Sequence, residues 1–321
     1  MGTGMSNTAA TQRAIFVIGA GRSGTSTITR ALMALGVDLG DHFKRASRKN
    51  PTGFFEDADL LAISKSVRRQ LGLRADSLRL VSDQAFDAAN LQLLQDKAVD
   101  VIQSRFGNSP IWGFKYGRTL RILPFWQRVI EHLGHQPAYL IALRNPLSVA
   151  RSRAKIDPRR GLQAISDLEW LVSIVPMLRR CQGAPVVVVD YDDVLDQPEA
   201  SLKRVAQAFD LPATDEEIGR FASEFLRADM RHSQFDDHSL DQAKDLNPLV
   251  RDGYRLLRRW GQGRLTDQAF WSQWTRIEQG VADLAPILAV MDGREAERRR
   301  ALLHPLGPLQ GLSLLKPWFK N

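Results

Sequence analysis

Ala14-Ile15-Phe16-Val17-Ile18-Gly19-Ala20-Gly21-Arg22-Ser23-Gly24-Thr25-Ser26 is an apolar run feeding a glycine-rich turn, followed by a helix-like segment, Thr27 to Leu35. A strand, a tight turn and a helix in that order aim backbone N–H groups and the positive end of a helix at an anion. The spacing fits two phosphate-binding patterns. Gly19-x-Gly21-x-x-Gly24 satisfies the dinucleotide fingerprint. Gly19-x-x-x-x-Gly24 followed by Thr25-Ser26 satisfies the nucleoside-triphosphate loop except for its lysine, and the turn carries Arg22 instead. The dinucleotide reading asks for an acidic residue ending a second strand roughly 20 positions on. Asp38 and Asp41 lie near that distance, but Gly36-Val37-Asp38-Leu39-Gly40 is a short apolar run for a buried strand, and the following segment is basic. The triphosphate reading, a kinase or NTPase, offers Thr25 or Ser26 to Mg²⁺ and Val186-Val187-Val188-Val189-Asp190 as a strand ending in a metal-binding aspartate. The turn alone leaves both open.

Composition narrows the class without choosing the ligand. At 321 residues and 44% hydrophobic content, the chain has enough apolar surface for one large core, or for a core with a helical appendage. Its 44 Lys and Arg against 36 Asp and Glu give a net charge of +8 and an isoelectric point near 9.9. That balance suits an anionic ligand, an acidic polysaccharide, a nucleic acid or a membrane surface. The basic residues are dispersed and accompany no base-reading motif, so nothing singles out nucleic acid. The single cysteine, Cys181, excludes an intrachain disulfide framework and cysteine-cluster metal sites, and reads as a small buried side chain. No His/Asp/Glu spacing argues for a catalytic metal. No stretch approaches the ~20 apolar residues that span a bilayer. Ala14 to Ala20 is too short for a secretory signal, so the expected location is the cytoplasm. The basic run Arg294 to Arg300 and the apolar tail Leu312 to Phe319 offer peripheral contact with the inner face of a membrane, or with another subunit. Met1-Gly2-Thr3-Gly4-Met5-Ser6 matches a myristoylation pattern, but reads as part of a disordered extension over residues 1–12.

Strand and helix signals alternate along the chain. Ile111 to Lys115 and Ala138 to Leu143 read as short strands, and Pro185 to Val189 as a β-branched, fully buried one. Helices are expected over Ala58 to Leu71, over Asn90 to Arg105 and from Pro198. Another is expected over Leu162 to Arg180, with Ile165, Leu168, Leu171, Val172, Val175 and Leu178 on its buried face. The alternation predicts an α/β three-layer sandwich with a central, mostly parallel sheet, right-handed crossovers and a ligand at the carboxyl ends of the strands. From about Asp215 the signals are helical. Residues 13–235 are therefore expected to form the core, and 236–321 a helical extension packed on it, with Trp260, Trp271 and Trp274 as packing residues.

A second anion signal follows the third strand. Arg144-Asn145-Pro146-Leu147-Ser148-Val149-Ala150-Arg151-Ser152 puts an arginine at a strand end and then an Asn-Pro helix start. Arg144 supplies a planar, permanently charged fork, and Ser152 a hydroxyl wherever the helix turns both toward one pocket.

These ordered elements resemble the sulfotransferase family that uses 3′-phosphoadenosine 5′-phosphosulfate (PAPS). They are the Gly-Arg-Ser-Gly-Thr-Ser loop at 21–26, Arg144 with Ser152, and Val189-Asp190-Tyr191-Asp192-Asp193-Val194-Leu195 followed by Pro198-Glu199. The resemblance runs over roughly residues 14 to 235 and implies a fold like that of the P-loop NTPases. It implies that Gly21, Arg22, Ser23, Gly24, Thr25 and Ser26 hold the 5′-phosphosulfate, and that Arg144 and Ser152 hold the 3′-phosphate. Arg231, in Met230-Arg231-His232-Ser233, lies in a segment similar to one near the family's cofactor. Arginine rather than lysine in the loop resembles the bacterial and carbohydrate-type branches, which implies a saccharide or glycan hydroxyl as acceptor, a glycolipid or other lipid-linked sugar included.

Asn50-Pro51-Thr52-Gly53-Phe54-Phe55-Glu56-Asp57-Ala58 is similar to a family segment whose glutamate contacts the acceptor. Trp112-Gly113-Phe114-Lys115-Tyr116-Gly117-Arg118 is similar to one with a Lys-x-x-Arg pattern, with Tyr-Gly here where Asp-Pro is common. A hydroxyl attacking sulfur needs a base, and charge developing on the leaving phosphate oxygen needs positive donors. The expected reaction is in-line sulfuryl transfer from PAPS to a hydroxyl, leaving 3′-phosphoadenosine 5′-phosphate (PAP). Glu56 is the candidate base, while Lys115, Arg22 and the loop N–H groups stabilise the developing charge. Asp57, Asp59, His42 and His232 are lesser base candidates.

Overall fold

The computed structural model describes residues 11–46, 53–226 and 233–303. Four strands, β1 (Arg13–Gly19), β2 (Ile111–Lys115), β3 (Gln136–Leu143) and β4 (Val186–Asp190), form one sheet in the order β2-β1-β3-β4, every pair parallel. The crossovers are helical. Between β1 and β2 come α1 (Thr25–Ala34), α2 (Ala58–Gln70) and α3 (Ala89–Phe106). Helix α4 (Leu123–Leu133) leads to β3, and α5 (Pro146–Ala154) and α6 (Gln163–Leu178) lead to β4. After β4 come α7 (Tyr191–Asp196), α8 (Pro198–Ala208), α9 (Asp215–Arg220), α10 (Asp237–Gln242), α11 (Pro248–Gly261), α12 (Asp267–Asp283) and α13 (Ala285–Leu303).

The strands are apolar at nearly every position because both faces of the sheet are covered. Ala14, Phe16 and Ile18 of β1 enter one core with residues of α2, α3, α4, α6, α11 and α12, while Ile15 and Val17 enter a second core with residues of α1, α8 and α9. That is the expected three-layer sandwich. Phe16 sits among the rings of Trp112, Phe114, Trp126 and Tyr139, with centroids 6.0–6.5 Å away. Truncating it to alanine would cost about 3–5 kcal/mol. Trp271 and Trp274 are buried on α12 and Trp260 stacks on Phe270 at 3.9 Å, so the C-terminal helices share the first core. Cys181 is buried, and burial pushes its thiol up.

Two expectations need correction. Helix α6 buries Leu171, Val172, Val175 and Leu178, but Ile165 and Leu168 are only half-buried, and Asp167 and Glu169 are buried in their stead. Local ion pairs and hydrogen bonds explain this reversal. Glu169 accepts from Arg160 Nε (2.7 Å) and Nη2 (2.6 Å), and Asp167 accepts the Asn247 backbone N–H (2.7 Å). At the other end of the chain, Gln12 is not part of a loose extension. Its side chain donates to the carbonyls of Phe106 (2.8 Å) and Ser109 (2.7 Å). Residues 1–10, with the myristoylation pattern, and the apolar tail Leu312 to Phe319 lie outside the described residues. No helix among the described residues is long and apolar enough to cross a membrane.

Candidate active site

Parallel strands place their carboxyl ends on one side of the sheet, and the candidate residues follow from that. The glycine turn leaves β1, Lys115 is the last residue of β2, Arg144 comes directly after β3, and Tyr191 directly after β4.

The turn has a left-handed backbone at Arg22 (φ 78°) and Gly24 (φ 82°). A β-carbon on Gly24 would overlap the Tyr191 ring, so glycine is required there both for its φ and for its neighbour. Gly24 is also the N-cap of α1 and offers no side-chain acceptor to its first turn, so the positive end of that helix points out of the turn uncapped by a side chain. Thr25 is buried at the start of that helix. Ser23 differs from the rest of the loop. Its N–H (3.1 Å) and its hydroxyl (2.7 Å) both donate to the Ala20 carbonyl, so it shapes the turn from inside.

Arg22 joins the loop to the second anion signal. Its Nε donates to Ser152 Oγ at 3.0 Å, and its carbonyl lies 3.5 Å from Arg144 Nη1. Arg144, Ser152 and the loop therefore form one cluster. Arg144 is only 5% exposed and packs over the Tyr191 ring, its guanidinium carbon 4.5 Å from the centroid. Its Nε and Nη2 have no hydrogen-bond partner among the described residues. A buried cation with two open donors beside an anion-binding turn fits a phosphate group that would supply the missing acceptors. Burial, and then the charge of Arg144, hold Arg22 below its ordinary pKa. Two like charges this close ask for an anion between them.

On the β2 side, Lys115 Nζ donates to Ser26 Oγ (3.2 Å) and pairs with Glu56 Oε1 (3.1 Å). Glu56 Oε2 is held by Lys44 Nζ at 3.1 Å, and Lys44 lies over the Phe54 ring at 3.6 Å. Lys115 and Glu56 are both buried, and burial pulls Lys115 below its ordinary pKa while Glu56 pulls it back. The carboxylate reaches this place through the backbone. Lys44 N–H donates to the Glu56 carbonyl and Ala58 N–H to that of His42, both at 2.8 Å, and Phe55 takes φ 50°. Among the described non-glycine residues only Arg22, Phe55 and Asp210 have positive φ, so two of the three adjoin this cluster. Asp57 caps α2 and pairs with Arg105 (2.7 Å), and His42 pairs with Asp59 (3.1 Å) on the surface.

Some expected residues lie elsewhere. Asp190, the metal ligand of the triphosphate reading, caps α7 through the Asp192 N–H (2.9 Å) and accepts the Tyr254 hydroxyl (3.1 Å). Among the described residues no group of His, Cys, Asp and Glu could hold a metal ion. Arg231 and His232 lie outside the described residues. Asn145 and Ser148, at the start of α5, hold the carbonyls of Phe235 (3.0 Å) and Ser233 (3.3 Å) that follow them. Sequence reasoning gives Lys44 no role and no signal, and Tyr191 only a place in the Val189-to-Leu195 stretch directly after a buried strand.

A family profile described as sulfotransferase matches residues 14–216. Similar solved structures include the sulfotransferase domain of the Synechococcus olefin synthase, at 18% identity over 85% of this chain and 95% of that one, TM-score 0.40. A Mycobacterium avium sulfotransferase is similar at 17% identity over 84% and 76%, TM-score 0.40. A putative kinase from Chloroflexus aurantiacus is similar at 16% identity over 64% and 100%, TM-score 0.37. No curated protein matches the sequence.

Proposed function

Because the chain belongs to the sulfotransferase family, whose profile covers most of its length, we propose that it transfers the sulfuryl group of PAPS to a hydroxyl of a saccharide or glycan, lipid-linked sugars included, in the cytoplasm. The observation that carries this reading is Arg144, buried with two unpartnered N–H-bearing nitrogens beside the turn. A 3′-phosphate beside the turn would give both nitrogens their acceptors.

PAPS supplies an activated sulfuryl group and a stable leaving phosphate. The residues that would hold it are Gly21, Arg22, Gly24, Thr25 and Ser26 at its 5′ end, with Ser23 shaping their turn, and Arg144 and Ser152 at its 3′-phosphate; Arg231 is assigned to the cofactor by the family resemblance alone. Glu56 accepts the proton of the acceptor hydroxyl. Lys115, hydrogen-bonded to both Glu56 and Ser26, spans the carboxylate and the start of α1 and neutralises charge arising at the leaving oxygen. Arg22 does the same from the turn. Lys44 holds the second carboxylate oxygen, so both oxygens of Glu56 are fixed in place. Residues 13–235 carry this machinery, and the helices from residue 236 buttress it.

Radiolabelled PAPS incubated with the protein and a panel of saccharides tests the reading. Label is expected on a saccharide product, with PAP released in equal amount. Binding of PAPS without transfer to any hydroxyl would sink it.

A further inference from the structure

A cavity of about 170 Å³ opens where the turn meets the end of β2, bordered by Gly21 and Arg22 on one side and by Gly117 and Arg118 on the other. A β-carbon built on Gly21 meets nothing within 4 Å, so this face of the loop borders open space. Lys115 lies just upstream of Gly117 on the same strand end. A molecule in this cavity would sit against both the turn and the segment that follows β2.

The lining is unbalanced in charge. Arg22, Arg118, Arg121, Arg153 and Arg160 face it, against only Asp76 and Glu169. Both carboxylates are already paired. Glu169 binds Arg160 (2.6 Å) and Arg153 (3.4 Å), and Asp76 binds Arg74 (3.5 Å) and Arg299, which stand outside the cavity. Arg121 donates to the carbonyls of Ser77 and Arg79 (2.6 Å), so it is fixed in place and acts through its charge. Among the described residues Arg118 is tied only by Nε, to the Ala75 carbonyl at 2.9 Å, which leaves its terminal nitrogens for a ligand. Arg153 Nε is buried without a hydrogen-bond partner among the described residues. Burial pulls both Arg121 and Arg153 down to about 10; Asp292 pulls Arg121 and Glu169 pulls Arg153 part of the way back, and the charge of Arg118 lowers each. Glu169 offsets part of the charge of Arg153 and Arg160, and the excess left on the lining favours an anion in the cavity.

The excess is local. The adjoining cavity of about 380 Å³, toward α13, has six arginines against five acids and is nearly neutral. A polyanion lying along the surface would be met by positive charge along its whole path, whereas here the charge is concentrated at one small space.

We propose that the acceptor carries one anionic group, a carboxylate, phosphate or sulfate ester, close to its reacting hydroxyl, and that Arg118 binds this group with Arg121 and Arg153 behind it. This rests on the sulfuryl-transfer reading above. Binding of glucose, glucuronate, glucose 6-phosphate and glucose 6-sulfate to the PAP-saturated protein, measured by calorimetry or saturation-transfer NMR, tests it. At least one charged sugar is expected to bind ten-fold or more tighter than glucose, and the three charged arms identify the group. Arg118→Met is expected to erase that preference and Arg118→Lys to restore part of it, with the affinity for PAP unchanged in both. Equal binding of all four sugars, binding of none of them, or a preference that survives Arg118→Met overturns the anionic-acceptor proposal. Each of those results, with PAP still bound, leaves the sulfuryl-transfer reading standing. A protein that binds no PAP at all contradicts that reading itself.

Discussion

Replacing Arg144 with methionine should stabilise the free protein while removing its donor affinity. The side chain is buried with Nε and Nη2 unpartnered, and each such donor costs about 1–3 kcal/mol in the folded state. The same change relieves its repulsion of Arg22. Against that stand a cation–π contact with Tyr191, worth about 0.5–2 kcal/mol, and a long hydrogen bond to the Arg22 carbonyl. Methionine fills similar volume without a charge, so the balance favours the variant by about 1–3 kcal/mol. Binding moves the other way. Two charge-assisted hydrogen bonds to a phosphate, each worth about 1.5–3 kcal/mol, amount to at least a 100-fold loss of PAP affinity. Urea denaturation without ligand reads the first effect, and calorimetric titration with PAP reads the second. A variant that is destabilised yet binds PAP as tightly as before would show that Arg144 is structural, and the reasoning would fail.

Three further changes probe other parts of the account. Glu56→Gln keeps the hydrogen bond to Lys115 but removes the proton acceptor, so turnover with labelled PAPS should fall about 10²–10⁴-fold with PAP affinity unchanged; a rate within three-fold of the parent would exclude Glu56 as base. Gly24→Ala should lose more than about 2 kcal/mol in denaturant titration and abolish PAP binding, because the residue has φ 82° and its new β-carbon overlaps Tyr191. Asp190 is raised from 3.8 to about 6, by burial first and then by the neighbouring Asp193 and Asp192. The folded state thus holds this proton more tightly than the unfolded state, and the group's contribution to stability is lost as pH rises from about 4 through 6. Asp190→Asn should match the parent near pH 4 and exceed it at pH 7 by up to about 3 kcal/mol, which denaturation at both values checks; equal stability at pH 7 would refute the raised pKa.

The parts of the molecule legible in sequence are those whose signal is local. Ala14 to Ile18 and Val186 to Val189 are apolar at successive positions because the sheet is covered on both faces, and glycines mark the turn because Gly24 has no room for a β-carbon. Arg144 and Ser152 are close in the chain and announced by an Asn-Pro helix start. The unreadable parts depend on residues far apart in sequence. Lys44 meets Glu56 through backbone pairing between two irregular segments, and Arg118, Arg121, Arg153 and Arg160 converge on one cavity from β2, α5 and their following turns. Periodicity misled at Asp167 and Glu169, because hydrogen-bonding partners can bury a polar side chain on a face that apolar spacing assigns to solvent.

Affinity for PAP compared with adenosine 5′-monophosphate and with ATP–Mg²⁺, measured by calorimetry on the unmodified protein, tests the central claim most directly. PAP is adenosine 5′-monophosphate with one further group, the 3′-phosphate that Arg144 and Ser152 are proposed to hold. PAP should bind at least 100-fold tighter than adenosine 5′-monophosphate, with no requirement for Mg²⁺. Equal affinity for the two, or tightest binding of ATP–Mg²⁺, would contradict the account.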